Sequence, residues 1–287
     1  MVRVIDVLKE RGLSAREARE AMTSGKVRVR GVPVGDGGRF CEPDDLLFDS
    51  TAPRLQLGRD AVFLQVHPRW VVVWKPSGML AVRAPGRDGE PTVVGAVARQ
   101  FKQAYAVHRL DEGTSGCMLV ARDLESQERL KALFEKHEVE RRYFALAQGR
   151  VPQEPRRIRS VLLRDRGDGK RGSAIGPVPP GAEGKPAESE IRGVKGVKLP
   201  GGFCTLVEAQ LFTGRTHQVR IHLAEAGHPV LGEPLYATRA VTERFPRLAL
   251  HAAVLGFVDP FDGSLVRWDI GLPDDIDRAV RGAKVAG

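Results

Sequence analysis

Two short segments of this 287-residue chain concentrate side chains able to do chemistry. In the first, His108-Arg109-Leu110-Asp111-Glu112-Gly113-Thr114-Ser115-Gly116, the carboxylate of Asp111 sits in a Gly-punctuated turn. The apolar run Cys117-Met118-Leu119-Val120-Ala121 follows and reads as a buried strand. The second, Thr213-Gly214-Arg215-Thr216-His217-Gln218-Val219-Arg220-Ile221-His222-Leu223, is dense in cations. One acid in a turn and one basic segment elsewhere offer an ion-paired catalytic site, since a cation within about 4–6 Å lowers an Asp pKa by ~1–3 units. An Asp beside Gly is equally at home as a turn former bonded to its own backbone. Thr114 and Ser115 could also supply the donors that fix its carboxylate. The residues alone leave these readings open. Gly113-Thr114-Ser115-Gly116 does not have the spacing of a nucleophile elbow, so a serine nucleophile has no motif. His217, His222 and His228 match no zinc spacing, and Arg215 and Arg220 beside them oppose a cation. No metal site is expected, and a histidine that orients the arginine segment is the better account.

The elements that must position these residues follow from pattern and punctuation. Val4, Val7 and Leu8 fall on one helical face over residues 3–11, with Gly12 as the stop. Ser14-Ala15-Arg16-Glu17 reads as a capping box that opens a helix to about Ser24, closed by Gly25. Lys26-Val27-Arg28-Val29-Arg30 alternates basic and apolar, as a half-buried strand with one cationic face does, and Gly31-Val32-Pro33-Val34 turns the chain towards an extended piece near 45–48. Residues 49–60, with Pro53 and Gly58, read as a linker. Beyond it, apolar runs at 62–64, 70–74, 118–121, 143–147, 205–207 and 248–250 alternate irregularly with helical stretches near 92–103, 124–136 and 216–226. That order lacks a βαβ rhythm and predicts an α+β fold with a central, mainly antiparallel sheet. Trp70 and Trp74 are expected in its core, and Gly167–Gly184 as an exposed excursion.

Composition bounds the partners. An apolar fraction of 42% is ample for packed cores, whereas 6% aromatics leaves little for extended base-stacking platforms. Lys and Arg number 45 against 36 acids, a net +9, which favours an anionic partner such as nucleic acid. The excess lies downstream of residue 60. Between Glu140 and Arg171, ten basic side chains meet four acids, giving either a solvated loop or a strip that follows an RNA backbone. Cys41, Cys117 and Cys204 are too scattered for a disulfide framework or a zinc site. The N-terminus has no signal-peptide core and no run approaches transmembrane length, so a cytoplasmic protein is expected.

Six ordered blocks resemble the RluA-type family of RNA pseudouridine synthases over residues 62–272. His108-Arg109-Leu110-Asp111 with Thr114-Ser115-Gly116 is similar to the family's HRLDxxTSG signature, whose Asp is catalytic. Trp74-Lys75-Pro76-Ser77-Gly78-Met79 is similar to its KPxG segment, and Glu140-Arg141-Arg142-Tyr143-Phe144-Ala145 to the segment that carries its active-site Tyr. Gly214–His222 resembles GRTHQIRxH, Gly227–Tyr236 resembles GHPIxGDxxY, and Leu250–Phe257 resembles LHAxxLxF. Val258-Asp259-Pro260 departs from a common His-Pro, and Gly184-Lys185-Pro186-Ala187-Glu188-Ser189 is a looser GKxAxT. Residues 1–55 resemble an S4-type RNA-binding domain, in Ser14–Arg19 and Gly25–Gly31.

The resemblance implies a two-domain synthase, 1–55 binding RNA and 56–287 isomerising uridine to pseudouridine, with no cofactor and no metal. It implies Asp111 as the catalytic carboxylate, Arg215 as its cation and Tyr143 against the target base. RNA contacts are expected from Arg109 and Arg220 near the site, and from Arg16, Arg19, Lys26, Arg28 and Arg30 on the small domain. Ribosomal RNA is preferred to transfer RNA as substrate because the S4-like appendage points to structured RNA. A transfer-RNA synthase and a non-catalytic RNA-binding or ribosome-assembly protein are the alternatives. No membrane partner and a monomeric state are expected.

Overall fold

The computed structural model describes residues 2–23, 26–29, 32–34, 40–50, 62–174, 181 and 183–282. Arg30, the glycines at 25 and 31, and most of the expected linker lie outside them. Contacts divide the chain into two units, Met1–Ala132 with Asp259–Gly271, and Leu133–Val258 with Leu272–Gly287.

The first unit begins with a small module. Strand β1 (Val2–Arg3) leads into helix α1 (Val4–Glu10), which buries Val4, Val7 and Leu8 as its spacing requires. Gly12 takes φ +93° beyond its end, a conformation in which glycine is not strained. The capping box forms in both directions: the Glu17 N–H donates to the Ser14 hydroxyl at 3.2 Å, and the Ser14 N–H to the Glu17 carboxylate at 2.8 Å. These two bonds hold the exposed Glu17 carboxyl below its usual value. Helix α2 (Ala15–Thr23) follows, and its Ala18 and Met22 share one core with strands β2 (Val27–Val29), β4 (Phe40–Cys41) and β5 (Leu46–Phe48), while β3 spans Val32–Pro33. β2 lies between β3 and β5, antiparallel to both, and β4 pairs with β1.

Downstream, β6 (Val62–Val66), β7 (Trp70–Lys75) and β9 (Ser115–Ala121) form an antiparallel sheet in that order, with β8 (Tyr105–Ala106) also on β9. β9 is buried along its whole length and β7 at every position but Trp74, which explains their nearly uninterrupted apolar sequences. Helix α3 (Val93–Phe101) starts at Thr92, whose hydroxyl accepts the Gly95 N–H at 2.9 Å. Helix α4 (Leu124–Glu135) follows β9.

In the second unit, β10 (Glu140–Gln148), β11 (Arg156–Leu162), β12 (Lys185–Leu199), β13 (Gly202–Leu211) and β14 (Leu250–Val258) form an antiparallel sheet in the order β11-β12-β13-β10-β14. Helices α5 (Gln218–Glu225), α6 (Arg239–Thr242) and α7 (Asp274–Gly282) accompany it. The final strand, β15 (Leu265–Asp269), belongs to the first unit. The expected α+β class with mainly antiparallel pairing is what both units show. The basic stretch 140–171, by contrast, is not a loop. Much of it is strand, because β11 alternates exposed arginines with Ile158 and Ser160 and pairs along its whole length with β12.

Candidate active site

Asp111 lies in the loop entering β9, half-buried between the exposed Arg109 and the buried Thr114 and Ser115. Its turn is closed by the main chain, the Thr114 N–H donating to the Asp111 carbonyl at 3.0 Å. Three further contacts lock the loop in place. Lys75, wholly buried at the end of β7, donates its ammonium to the carbonyls of Pro76, Met79 and Glu112 at 2.9, 2.6 and 2.9 Å. The Ser77 hydroxyl donates to the Gly113 carbonyl at 2.7 Å, and the Gly78 N–H to the Glu112 carbonyl at 2.8 Å. Three donors on one ammonium meet three acceptors, which is how a buried charge without a carboxylate in these contacts is tolerated. The Pro76–Met79 turn and the Asp111 turn are thus one fixed body. At its rim, Arg87 grips the Glu112 carboxylate with two bonds of 2.7 and 3.1 Å and holds its pKa below the usual range. Behind it, the Leu119 N–H donates to His108 Nε2 at 2.9 Å and anchors the first residue of the motif to β9. The Thr114 hydroxyl is buried and has no partner among the described residues, so it does not fix the carboxylate.

The second unit carries Tyr143, Arg215 and Arg220. Tyr143, 9% exposed, stands on β10 where the pairing with β14 slips between Arg142 and Tyr143. Arg141, two residues before it, is buried against the Phe134 ring at 5.5 Å. Burial lowers its guanidinium pKa, the Tyr143 phenol opposes that and Arg215 adds to it, which places all three side chains in one electrostatic neighbourhood. Gly214 makes that approach possible, since a Cβ there would lie 2.5 Å from Arg141 Nη1.

Arg215 is fixed from two sides. Its Nε donates to the Pro186 carbonyl at 2.8 Å and its main-chain N–H to Gln218 Oε1 at 2.9 Å. Gln218, 2% exposed, also accepts from the Thr213 hydroxyl at 2.7 Å and donates to the Glu188 carbonyl and the Ser189 hydroxyl. His217, at φ +61°, turns the chain into α5 and pairs with the Tyr236 hydroxyl at 2.7 Å. His222 bridges Ser160 on β11 and Ser189 on β12 at 3.0 and 3.1 Å. Burial keeps its pKa below the ordinary imidazole value. His228 donates Nδ1–H to the Gln148 carbonyl at 2.9 Å. These three histidines therefore serve three separate hydrogen-bond sets.

Arg220, expected to touch RNA, is instead 5% exposed and chelates Glu233 with two bonds of 2.7 Å. Burial pushes the Glu233 carboxyl up, but Arg220 and the N–H groups of Leu235 and Tyr236 outweigh it and leave the pKa lowered. Gly232 sets up this carboxylate: it takes φ +77°, and a Cβ would fall 1.8 Å from the Arg247 carbonyl. On the small module, Arg16 and Arg19 are exposed, whereas Lys26 and Arg28 reach the Ser50 and Leu64 carbonyls.

Lys75, Arg141, Gln218 and Glu233 were not singled out from sequence. Lys75 had a signal, a lone charge ending the apolar run Trp70–Trp74. Gln218 and Glu233 had none beyond their motifs, because their importance lies in partners distant along the chain.

The family model of the RNA pseudouridylate synthases matches residues 69–225. Ribosomal large subunit pseudouridine synthase D of Zymomonas mobilis is 33% identical over 226 residues, covering 72% of this chain and 67% of the relative. The dual-specificity RNA pseudouridine synthase RluA of Escherichia coli is 33% identical over 205 residues, 71% of this chain and 89% of that one. Other matched relatives are longer, the chain covering 56% of the synthase D of Neisseria meningitidis. The solved structure of human RNA pseudouridylate synthase domain containing 1 shares the fold, with a TM-score of 0.59 at 23% identity over 79% of this chain and 95% of the other. The signature turn, the arginine segment and these matches together establish that the chain belongs to the RNA pseudouridylate synthase family.

Proposed function

We propose that this chain isomerises uridine to pseudouridine in ribosomal RNA, with Asp111 as the catalytic carboxylate. The observation that supports the assignment of Asp111 is the fixed body around it: a wholly buried lysine, a serine and a glycine amide all hold the main-chain carbonyls of Glu112 and Gly113, the two residues that follow it. Such rigidity serves a group that must meet a reacting atom in one geometry. The preference for ribosomal RNA is supported by the printed names of the relatives from Zymomonas and Neisseria.

In the reaction the N1–C1′ bond breaks, the uracil turns, and C5 bonds to C1′. The C5 hydrogen leaves as a proton and N1 gains one, so the change is redox-neutral and demands no cofactor. An ionised carboxylate serves it either by adding to the base or ribose or by taking a ribose proton. Arg215 is its proposed cationic partner, and Tyr143 packs against the target base. Extruding a paired base costs a few kcal/mol, so an unpaired or loop uridine is the preferred target. Arg109, exposed beside the turn, enters the space the base leaves. For Arg220 the proposal moves from RNA contact to positioning, because its guanidinium is committed to Glu233.

Residues 1–55 are proposed as an S4-like RNA-binding domain and 56–287 as the catalytic domain. The shared core of α1, α2, β2, β4 and β5 supports the first, and Arg16 and Arg19, both exposed, are its principal phosphate contacts. Asp111→Asn tests the assignment by tritium release from labelled RNA.

A further inference from the structure

A cavity of about 640 Å³ opens beside Arg215 in the second unit. It has the size of a ligand pocket, within the range of about 300–1,000 Å³, yet its walls are cationic. Arg164, Arg171, Lys185 and Arg215 line it, against one carboxylate among the described residues, Glu183.

The fold brings these cations together by two specific devices. Beyond the end of β11, Leu163 and Gly172 exchange main-chain hydrogen bonds of 2.9 and 3.3 Å, which sets Arg164 and Arg171 on adjoining strands of a small loop. Lys185 begins β12 opposite Leu162, and the carbonyl of its neighbour Pro186 holds Arg215 Nε.

The same stretch of chain carries other arginines that are already neutralised. Arg157 lies within ion-pair distance of Glu188 and Glu190, Arg159 of Glu188, and Arg166 of Asp168. Among the described residues, Arg164, Arg171 and Lys185 have no such acidic partner. Grouping like charges without counter-ions costs free energy unless an anion joins them. Two cations of the basic stretch 140–171, Arg164 and Arg171, thus meet Lys185 and Arg215 in this pocket.

We infer that the pocket is a phosphodiester subsite for the RNA strand that carries the target uridine; the inference rests on the synthase reading above. Arg164 and Arg171 fork onto the phosphate oxygens, Lys185 adds a point charge, and Arg215 ties the subsite to the arginine segment of the site.

The test compares two double variants of the full chain, each removing two charges: Arg164→Gln/Arg171→Gln in the pocket and Arg157→Gln/Arg159→Gln on β11. Binding to transcribed ribosomal RNA is measured across a salt series, alongside wild-type tritium release. The pocket variant is expected to bind about tenfold more weakly, with a log–log salt slope shallower by about one to two, since each lost phosphate contact removes about 0.7–0.9. The β11 variant is expected to keep the wild-type slope. An unchanged slope in the pocket variant, or an equal change in both, overturns the subsite. If wild type turns over and the pocket variant binds unchanged, the subsite fails and the synthase reading stands. If wild type shows no turnover but pocket-dependent binding, the synthase reading fails, and with it the target strand, while phosphodiester binding in the pocket stands.

Discussion

The side-chain carbonyl of Gln218 accepts the main-chain N–H of Arg215 at 2.9 Å. Its other bonds run to Thr213, Glu188 and Ser189, so one buried amide ties the arginine turn to the start of β12. All four capacities of the amide are used, which leaves it one orientation.

Gln218→Leu keeps the volume and removes every one of these bonds. It is expected to cost about 2–3 kcal/mol, because the stranded partners are buried, and to lower kcat at least tenfold with a smaller change in KM. Urea unfolding and steady-state kinetics read the two effects. A folded variant with wild-type kcat shows that Gln218 does not position Arg215.

Lys75 makes the equivalent link in the first unit. Lys75→Met leaves the Pro76, Met79 and Glu112 carbonyls without their shared donor. The Glu112 carbonyl keeps the Gly78 N–H, so at about 1 kcal/mol or more for each of the two acceptors left stranded the expected loss is about 2 kcal/mol, with turnover falling as the Asp111 turn loosens. Stability within 1 kcal/mol of wild type, about the net worth of a single hydrogen bond, contradicts the locking role.

The Arg220–Glu233 pair is desolvated on both sides, with Arg220 6% and Glu233 0% exposed in their side chains. Breaking such a pair by Arg220→Met is expected to cost about 3–5 kcal/mol. The pH dependence has a definite sign. Glu233 has a lowered pKa in the fold, so its contribution is complete above the ordinary carboxylate value and is lost as pH falls through the folded one. The stability gap between wild type and Glu233→Gln should therefore be widest near neutrality and narrow below about pH 4, where unfolded carboxylates protonate. A gap independent of pH between 3 and 7 contradicts the paired state.

His222 has a different window. Its pKa is lowered by burial, partly countered by Glu225, so the fold holds it neutral between the two serines. The unfolded chain protonates first as pH drops below about 6.5, and wild-type stability is expected to fall there more steeply than that of His222→Gln. Parallel curves from pH 7 to 5 contradict it.

Much of this was legible in the sequence. The capping box at Ser14 and Glu17, the buried run of β9 and the strand at Trp70–Lys75 follow from local rules and stand in the fold. β11 and β12 were not read as strands. The first interleaves Arg157 and Arg159, which pair with Glu188 and Glu190 on its partner, and the second is broken by Pro186, Gly193 and Gly196. Both are stabilised by pairing, which local pattern does not encode. The same limit applies to Arg220: its sequence places it beside Arg215, whereas in the fold it is buried on Glu233, thirteen residues on.

Tritium release from ribosomal RNA transcripts carrying [5-³H]uridine tests the central claim most directly, because bonding C5 to C1′ expels the C5 hydrogen. Wild type is predicted to release tritium, and Asp111→Asn to release none while binding the same RNA with affinity within a few-fold. Release by Asp111→Asn at a rate near wild type would contradict Asp111 as the catalytic carboxylate.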